Sequence, residues 1–191
     1  MSVLAIDTSS RSRVVCVLAT ADGDLLDSEV IRDRPVAVSL PPALARMLAT
    51  VDRGVVVVTG PGTYTGVRAG MAAALGVAHV RRLPLHGIGS LEVVASGDPN
   101  AAPGDWVVSD AERGSLYVAR VGDAANPSRI RQAGFDAGGA RVVSTDAIAI
   151  AGVILLDPSR ALARAVPLAL SRPALERAGL SAVYVDATPL Q

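Results

Sequence analysis

The sequence predicts an α/β fold built as two similar halves, the second of them reduced. Three observations carry this expectation. Apolar, strand-like runs alternate with stretches of helical period. A short apolar strand that ends in an acid, turns through polar residues and returns as a second strand occurs twice, at Asp7 and at Asp110. Between the two occurrences, Gly97, Asp98, Pro99, Asn100, Ala101, Ala102, Pro103 and Gly104 form the best boundary in the chain. The halves are taken as residues 1–102 and 103–191.

The first half opens as an antiparallel meander. Val3 to Ile6 is a short apolar run, Arg13 to Thr20 is rich enough in β-branched residues for a second strand, and Leu25 to Ile31 supplies a third after the turn Ala21, Asp22, Gly23, Asp24. After Pro35 the period changes. Leu40, Leu44, Met47 or Leu48, and Val51 recur at helical spacing, which predicts a helix from about Val38 to Thr50. Val55 to Val58 is continuously apolar, as a strand buried on both faces reads. The glycine-rich loop from Gly60 to Gly66 then leads into a helix from Val67 to Val80, with Thr65 as its expected cap. Leu83 to Ile88 can form a further strand, and Ser90 can cap a short helix reaching Ser96.

In the second half, Trp106 to Ser109 ends at Asp110, and a strand returns from Ser115 to Val121 after the turn Ala111, Glu112, Arg113, Gly114. Asn126 to Ala140 reads as a loop. Val153 to Leu156 reads as a strand, and Pro158 starts a helix with Leu162, Val166 and Leu170 on one side, limited by Pro167.

Composition excludes several classes. A 191-residue globule can bury roughly 70% of its unfolded surface. Half the residues are apolar and the mean hydropathy is +0.41, yet the longest apolar run, Ala147 to Leu156, falls short of the roughly 20 residues a membrane helix needs. The start, Met1 and Ser2 leading straight into Val3, reads as cytosolic. Eighteen basic and eighteen acidic side chains give zero net charge, and with few aromatics this argues against strong direct RNA binding by the chain alone. The single cysteine, Cys16, lies in a strand-like run and reads as a small core residue.

Asp7, Thr8 and Ser9 at a strand end, with the matching hairpin at Asp110, are the candidate ligand site. Such a pair of hairpins can offer backbone N–H groups to phosphate and carboxylates to Mg²⁺, which gives a degenerate nucleotide site. The competing reading is a turn closed by local side-chain bonds. The loop from Gly60 to Gly66 lacks the endings of a P-loop and of a dinucleotide fingerprint, so a phosphate seat and a tight strand-to-helix turn both stand for it. His79 and His86 are the only histidines and have no ligand-spaced partner, so no metal site is expected. No catalytic triad or activated nucleophile is legible, and no catalytic residue is assigned.

The helix after the glycine-rich loop carries only Arg68 and His79 as strongly polar residues. A helix apolar on every side must be covered on every side. Gly66, Gly70, Ala74 and Ala78 form one row of small residues. That cover can come from a partner protein or from packing within the chain; the expected partner contact joins Leu40, Leu44 and Met47 of the first helix to Arg68, Gly70, Met71, Ala74 and Ala78 of the second.

Three segments resemble the TsaB (YeaZ) family: Leu4-Ala5-Ile6-Asp7-Thr8-Ser9, Gly60-Pro61-Gly62-Thr63-Tyr64-Thr65-Gly66-Val67-Arg68, and Asp110-Ala111-Glu112-Arg113-Gly114-Ser115-Leu116-Tyr117. Order and spacing hold over about residues 3–121. The resemblance implies an actin-like (ASKHA, ribonuclease H-like) α/β fold of two halves with mixed sheets. It further implies a non-catalytic subunit that pairs with a TsaD-like catalytic subunit through helices of the first half. With a TsaE-like ATPase it would support threonylcarbamoyl transfer to tRNA adenosine, would form a homodimer when alone, and would leave ATP or ADP a place at the interface of the complex. The chain departs from the family pattern around Val36 to Ser39, where a His-Ser pair is usual, and at Tyr184-Val185-Asp186, where Tyr-Leu-Arg is usual. An alternative from a different class is a small actin-like ATPase or phosphotransferase that uses Asp7 and Asp110 on a small metabolite.

Overall fold

The computed structural model describes residues 1–176 and 181–183, so the departure at Tyr184-Val185-Asp186 lies outside the described residues. The expected meander is formed by β1 (Val3–Asp7), β2 (Arg13–Ala19) and β3 (Leu25–Arg32). After helix α1 (Val36–Met47) and a single 3-10 turn come β4 (Gly54–Val58), helix α2 (Tyr64–Arg81) and β5 (Leu85–Ile88). These strands form one mixed sheet in the order β3-β2-β1-β4-β5, antiparallel from β3 to β1 and parallel from β1 to β5.

Helix α3 (Ser90–Gly97) and the boundary segment lead into the second sheet. Its strands are β6 (Trp106–Asp110), β7 (Ser115–Arg120), β8 (Ser128–Arg131), β9 (Val142–Ser144) and β10 (Val153–Leu155). The order β8-β7-β6-β9-β10, with the same antiparallel and parallel pairings, repeats the first sheet strand for strand. The reduction lies in the connections. Where the first sheet sends its chain through α1 and α2, the second uses residues 132–141 and 145–152, which run as loops apart from one 3-10 turn, Gln132–Gly134.

The strict inside-outside alternation of strands places the layers. Leu4, Ile6, Val14, Cys16, Leu18, Val55 and Val57 face α1 and α2. Val3, Ala5, Val15, Val17, Val56 and Val58 face the opposite way, onto helix α4 (Pro158–Leu170). Helix α3 packs on α4 and on β6, β7 and β9, so α3 and α4 fill the space between the two sheets. The far face of the second sheet is closed by Trp106, Phe135, Ile148 and Ile150 from strand and loop. The strands of the two sheets divide at the boundary segment, but α4, which lies beyond residue 103, packs back on the first sheet.

Four local expectations are corrected. Helix α2 begins at Tyr64, inside the glycine-rich loop, because Thr63 rather than Thr65 caps it: the Thr63 hydroxyl accepts the Gly66 N–H at 3.2 Å. Gly89, not Ser90, precedes α3, and its N–H is taken by the Glu92 carboxylate at 2.9 Å. The supposed loop from Asn126 to Ala140 contains β8, whose Ser-Arg-Ile-Arg sequence lacks an apolar alternation that would announce it. Helix α4 continues past Pro167 to Leu170, because burial of Val166 and Ala169 against the sheet outweighs one lost hydrogen bond. No described helix is long and apolar enough to cross a membrane.

Candidate functional site

The turn after β1 is closed from within. One oxygen of the buried Asp7 carboxylate accepts the Ser9 N–H at 2.9 Å and the Ser9 hydroxyl at 2.6 Å, and Thr8 Oγ1 donates to the Gly66 carbonyl at 2.7 Å. The glycine-rich loop lies directly on this turn, where Thr63 N–H donates to the Ser9 carbonyl at 2.8 Å. Its glycines are required by that approach. A Cβ on Gly62 would lie 2.5 Å from the Ser9 carbonyl oxygen, one on Gly66 2.1 Å from that of Thr8, and one on Gly70 2.2 Å from Thr8 Oγ1. The glycines thus seat α2 on the first turn, a use the phosphate-binding reading of the loop did not include.

Asp110 ends β6 and is exposed, and its carboxylate accepts the Glu112 N–H at 2.8 Å. Its own N–H donates to Asp146 Oδ2 at 3.1 Å. The other Asp146 oxygen is paired with Arg13, the first residue of β2. The hairpins that follow Asp7 and Asp110 are therefore joined through Arg13 and Asp146, two residues that sequence reasoning did not select. An arginine at a strand start and an aspartate 133 positions later carry no local signal. Beside this junction a cavity of about 130 Å³ lies between Gly62, Thr63 and Tyr64 on one side and Asp110, Glu112, Tyr117 and Arg129 on the other. That is below the roughly 300 Å³ at which small-molecule pockets begin. Burial pushes the Tyr117 phenol above its usual pKa; the Arg129 charge opposes this, and the carboxylates of Glu112 and Asp110 add to it.

The expected partner contact needs correction residue by residue. Leu40, Leu44, Met47, Met71, Ala74 and Ala78 are buried in the core between α1, α2 and the first sheet, and Gly70 sits on Thr8. The row Gly66, Gly70, Ala74, Ala78 is thus the inward row of α2, because close seating on the sheet demands the smallest residues there. Arg68 is exposed and stacks over the Tyr64 ring at 3.9 Å. The outward side of the two helices is an apolar groove of about 570 Å³ lined by Ala45, Leu48, Ala49, Ala73, Gly76, Val77, Val80 and Arg81. Val80 is 79% exposed there, and Val38 on α1 is 62% exposed.

Among the described residues no three His, Cys, Asp or Glu side chains are placed to hold a metal ion. His86 is buried, with Nδ1 3.2 Å from the Arg172 carbonyl, and His79 is exposed on α2. Burial pushes the Cys16 thiol up to about 12.

A family model described as "TsaD: tRNA N6-adenosine threonylcarbamoyltransferase" matches residues 36–149. The chain belongs to this family. Among the proteins it is similar to are ones of the TsaB (YeaZ) type. The tRNA threonylcarbamoyladenosine biosynthesis protein TsaB of Bacillus subtilis is 33% identical over 129 residues, covering 62% of this chain and 54% of that protein. An uncharacterized protein of Mycobacterium tuberculosis is 36% identical over 131 residues, covering 64% and 60% respectively. An uncharacterized protein of Mycobacterium leprae is 33% identical over 173 residues, covering 82% and 46%. The chain thus spans less than two thirds of the length of these curated relatives. YeaZ from Pseudomonas aeruginosa superposes with a TM-score of 0.71 at 19% identity, over 96% of this chain and 99% of that one, which establishes the two-half, actin-like fold.

Proposed function

We propose that the chain is a non-catalytic subunit of tRNA threonylcarbamoyladenosine biosynthesis. It pairs with a TsaD-like catalytic subunit and, with a TsaE-like ATPase, supports threonylcarbamoyl transfer to tRNA adenosine. The observation that carries this reading is the apolar groove on the outward side of α1 and α2, in a member of this family. An exposed apolar surface of this kind marks a protein contact rather than a solvated face. Of the acids expected to serve a nucleotide, the Asp7 carboxylate is bonded to Ser9, and one oxygen of the exposed Asp110 carboxylate accepts the Glu112 N–H. In the absence of the partner the groove pairs with its own copy about a two-fold axis, which gives a homodimer. Any ATP or ADP belongs at the interface of the complex rather than to this chain alone.

The experiment is co-expression with the TsaD-like protein of the same organism, followed by sizing and by assay of threonylcarbamoyl transfer with and without this chain. A stoichiometric complex, with transfer that depends on it, is expected. A chain that stays free and leaves transfer unaffected would overturn the proposal.

A further inference from the structure

Arg13 and Asp146 carry an inference that does not depend on the proposed function. Arg13 starts β2 in the first sheet, and Asp146 lies two residues past β9 in the second. Their side chains are 4% and 9% exposed, and they form a direct ion pair. The rest of the guanidinium is held on both sides: Nη2 donates to Thr145 Oγ1 at 2.8 Å, and Nη1 also reaches Ser10 Oγ at 3.5 Å. The carboxylate is held as firmly, accepting the Asp110 N–H at 3.1 Å, while the Asp146 N–H donates to Ser144 Oγ at 2.9 Å. Arg13 Nε is buried without a hydrogen-bond partner. A buried guanidinium in that state depends on its one counter-charge, because separation would strand both charges.

The position of the pair gives it mechanical meaning. One of the two segments that pass between the sheets, residues 98–105, enters β6 at Trp106, and it is clamped there by Arg141, which bonds Asp98 at 2.7 Å, Asp105 at 3.1 Å and the Asn100 carbonyl at 2.7 Å. Asp110 and Asp146 lie at the other ends of β6 and β9. The two junctions thus lie at opposite ends of β6 and β9, the one at the connecting segment and the other beside the small cavity. A two-half molecule that opens at one end must break contacts there while keeping those at the other.

We propose that Arg13 and Asp146 form a latch that holds the two hairpins together in the native state, so that the cavity between Gly62–Tyr64 and Asp110–Arg129 does not widen without unfolding. In the unmodified protein the Asp110 amide, which donates to Asp146, then exchanges with solvent deuterium about as slowly as the Val56 and Val57 amides of central β4. Exchange at Asp110 about 100-fold faster than at Val56 and Val57 would show opening by a native-state route and would overturn the proposal. The second measurement uses spin labels at Ala37→Cys and Ser128→Cys, exposed sites on the two halves, with the buried Cys16 left unlabelled. The latched protein gives one narrow distance distribution. Asp146→Asn, and independently Arg13→Gln, broaden it and speed Asp110 exchange at least about tenfold. If either variant folds yet keeps the parent distribution and the parent exchange rate, the hairpins are held by something else and the latch is refuted.

Discussion

Thr8 shows how one side chain fixes a backbone crossing. Its hydroxyl donates to the Gly66 carbonyl, and the α2 backbone passes so close that neither Gly66 nor Gly70 leaves room for a methyl group. Gly70→Ala would ordinarily favour a helix, since alanine is the better helix former by about 1 kcal/mol. Here the added carbon meets Thr8 Oγ1 at 2.2 Å, and overpacking of that kind costs about 1–3 kcal/mol. A lowered midpoint of denaturant unfolding is expected, with Thr8→Ser unable to relieve it because the hydroxyl remains. Cys16 offers a second test at this scale. With its thiol pushed up to about 12 by burial and by the nearby carboxylates of Glu29 and Asp7, it holds no appreciable thiolate at pH 8. Alkylation by iodoacetamide is expected only in step with global unfolding, and rapid labelling of the native chain would contradict this environment.

Helix α3 is fixed at its start by a buried carboxylate. At its start, burial pushes the Glu92 carboxyl up, but the Arg172 hydrogen bonds, the Gly89 N–H and the Arg172 charge outweigh that and leave it below the usual value. A carboxyl lowered in the folded state adds stability above its unfolded pKa of about 4.3, and that stability is lost as pH falls through the lower, folded pKa. Glu92→Gln should therefore melt lower than the parent at pH 7, with the gap closing under acid; a constant gap from pH 7 to 3 would sink this assignment. The elements themselves were largely legible, because β1, β2, β4 and β6 are written in alternating or continuous apolar residues whose period is local. The recurrence at Asp7 and Asp110 announced two sheets of one topology. What stayed hidden depends on distance: β8 and β9 acquire strand geometry by pairing with β7 and β6, and Arg13, Asp146, Glu92 and Arg172 find their partners only after folding. The orientation of α2 was hidden for a different reason. A helix apolar all round shows that two faces are covered but not which residues belong to each, and only the approach to Thr8 decides that Gly70, Ala74 and Ala78 face inward.

At the scale of the whole molecule, that orientation decides how the proposed partner contact must be tested. Ala74 has no exposure, so Ala74→Arg would break the core and say nothing about association. Gly76 is the informative position. It is exposed, it lines the groove between α1 and α2, and a Cβ built there meets nothing within 4 Å. Gly76→Glu should therefore leave the fold intact, and exchange of a mid-helix glycine for a helix former should raise its stability slightly. A carboxylate carried into a largely apolar contact must lose its water, which costs several kcal/mol when the site closes fully and leaves it unpaired. The variant is accordingly expected to be a well-folded monomer that no longer co-purifies with the TsaD-like subunit, and to support transfer only at greatly raised concentration. Circular dichroism and thermal melting check the first half of this expectation, and sizing of the chain alone and with its partner checks the second. Native melting with undiminished dimer and undiminished complex would remove the groove from the interface.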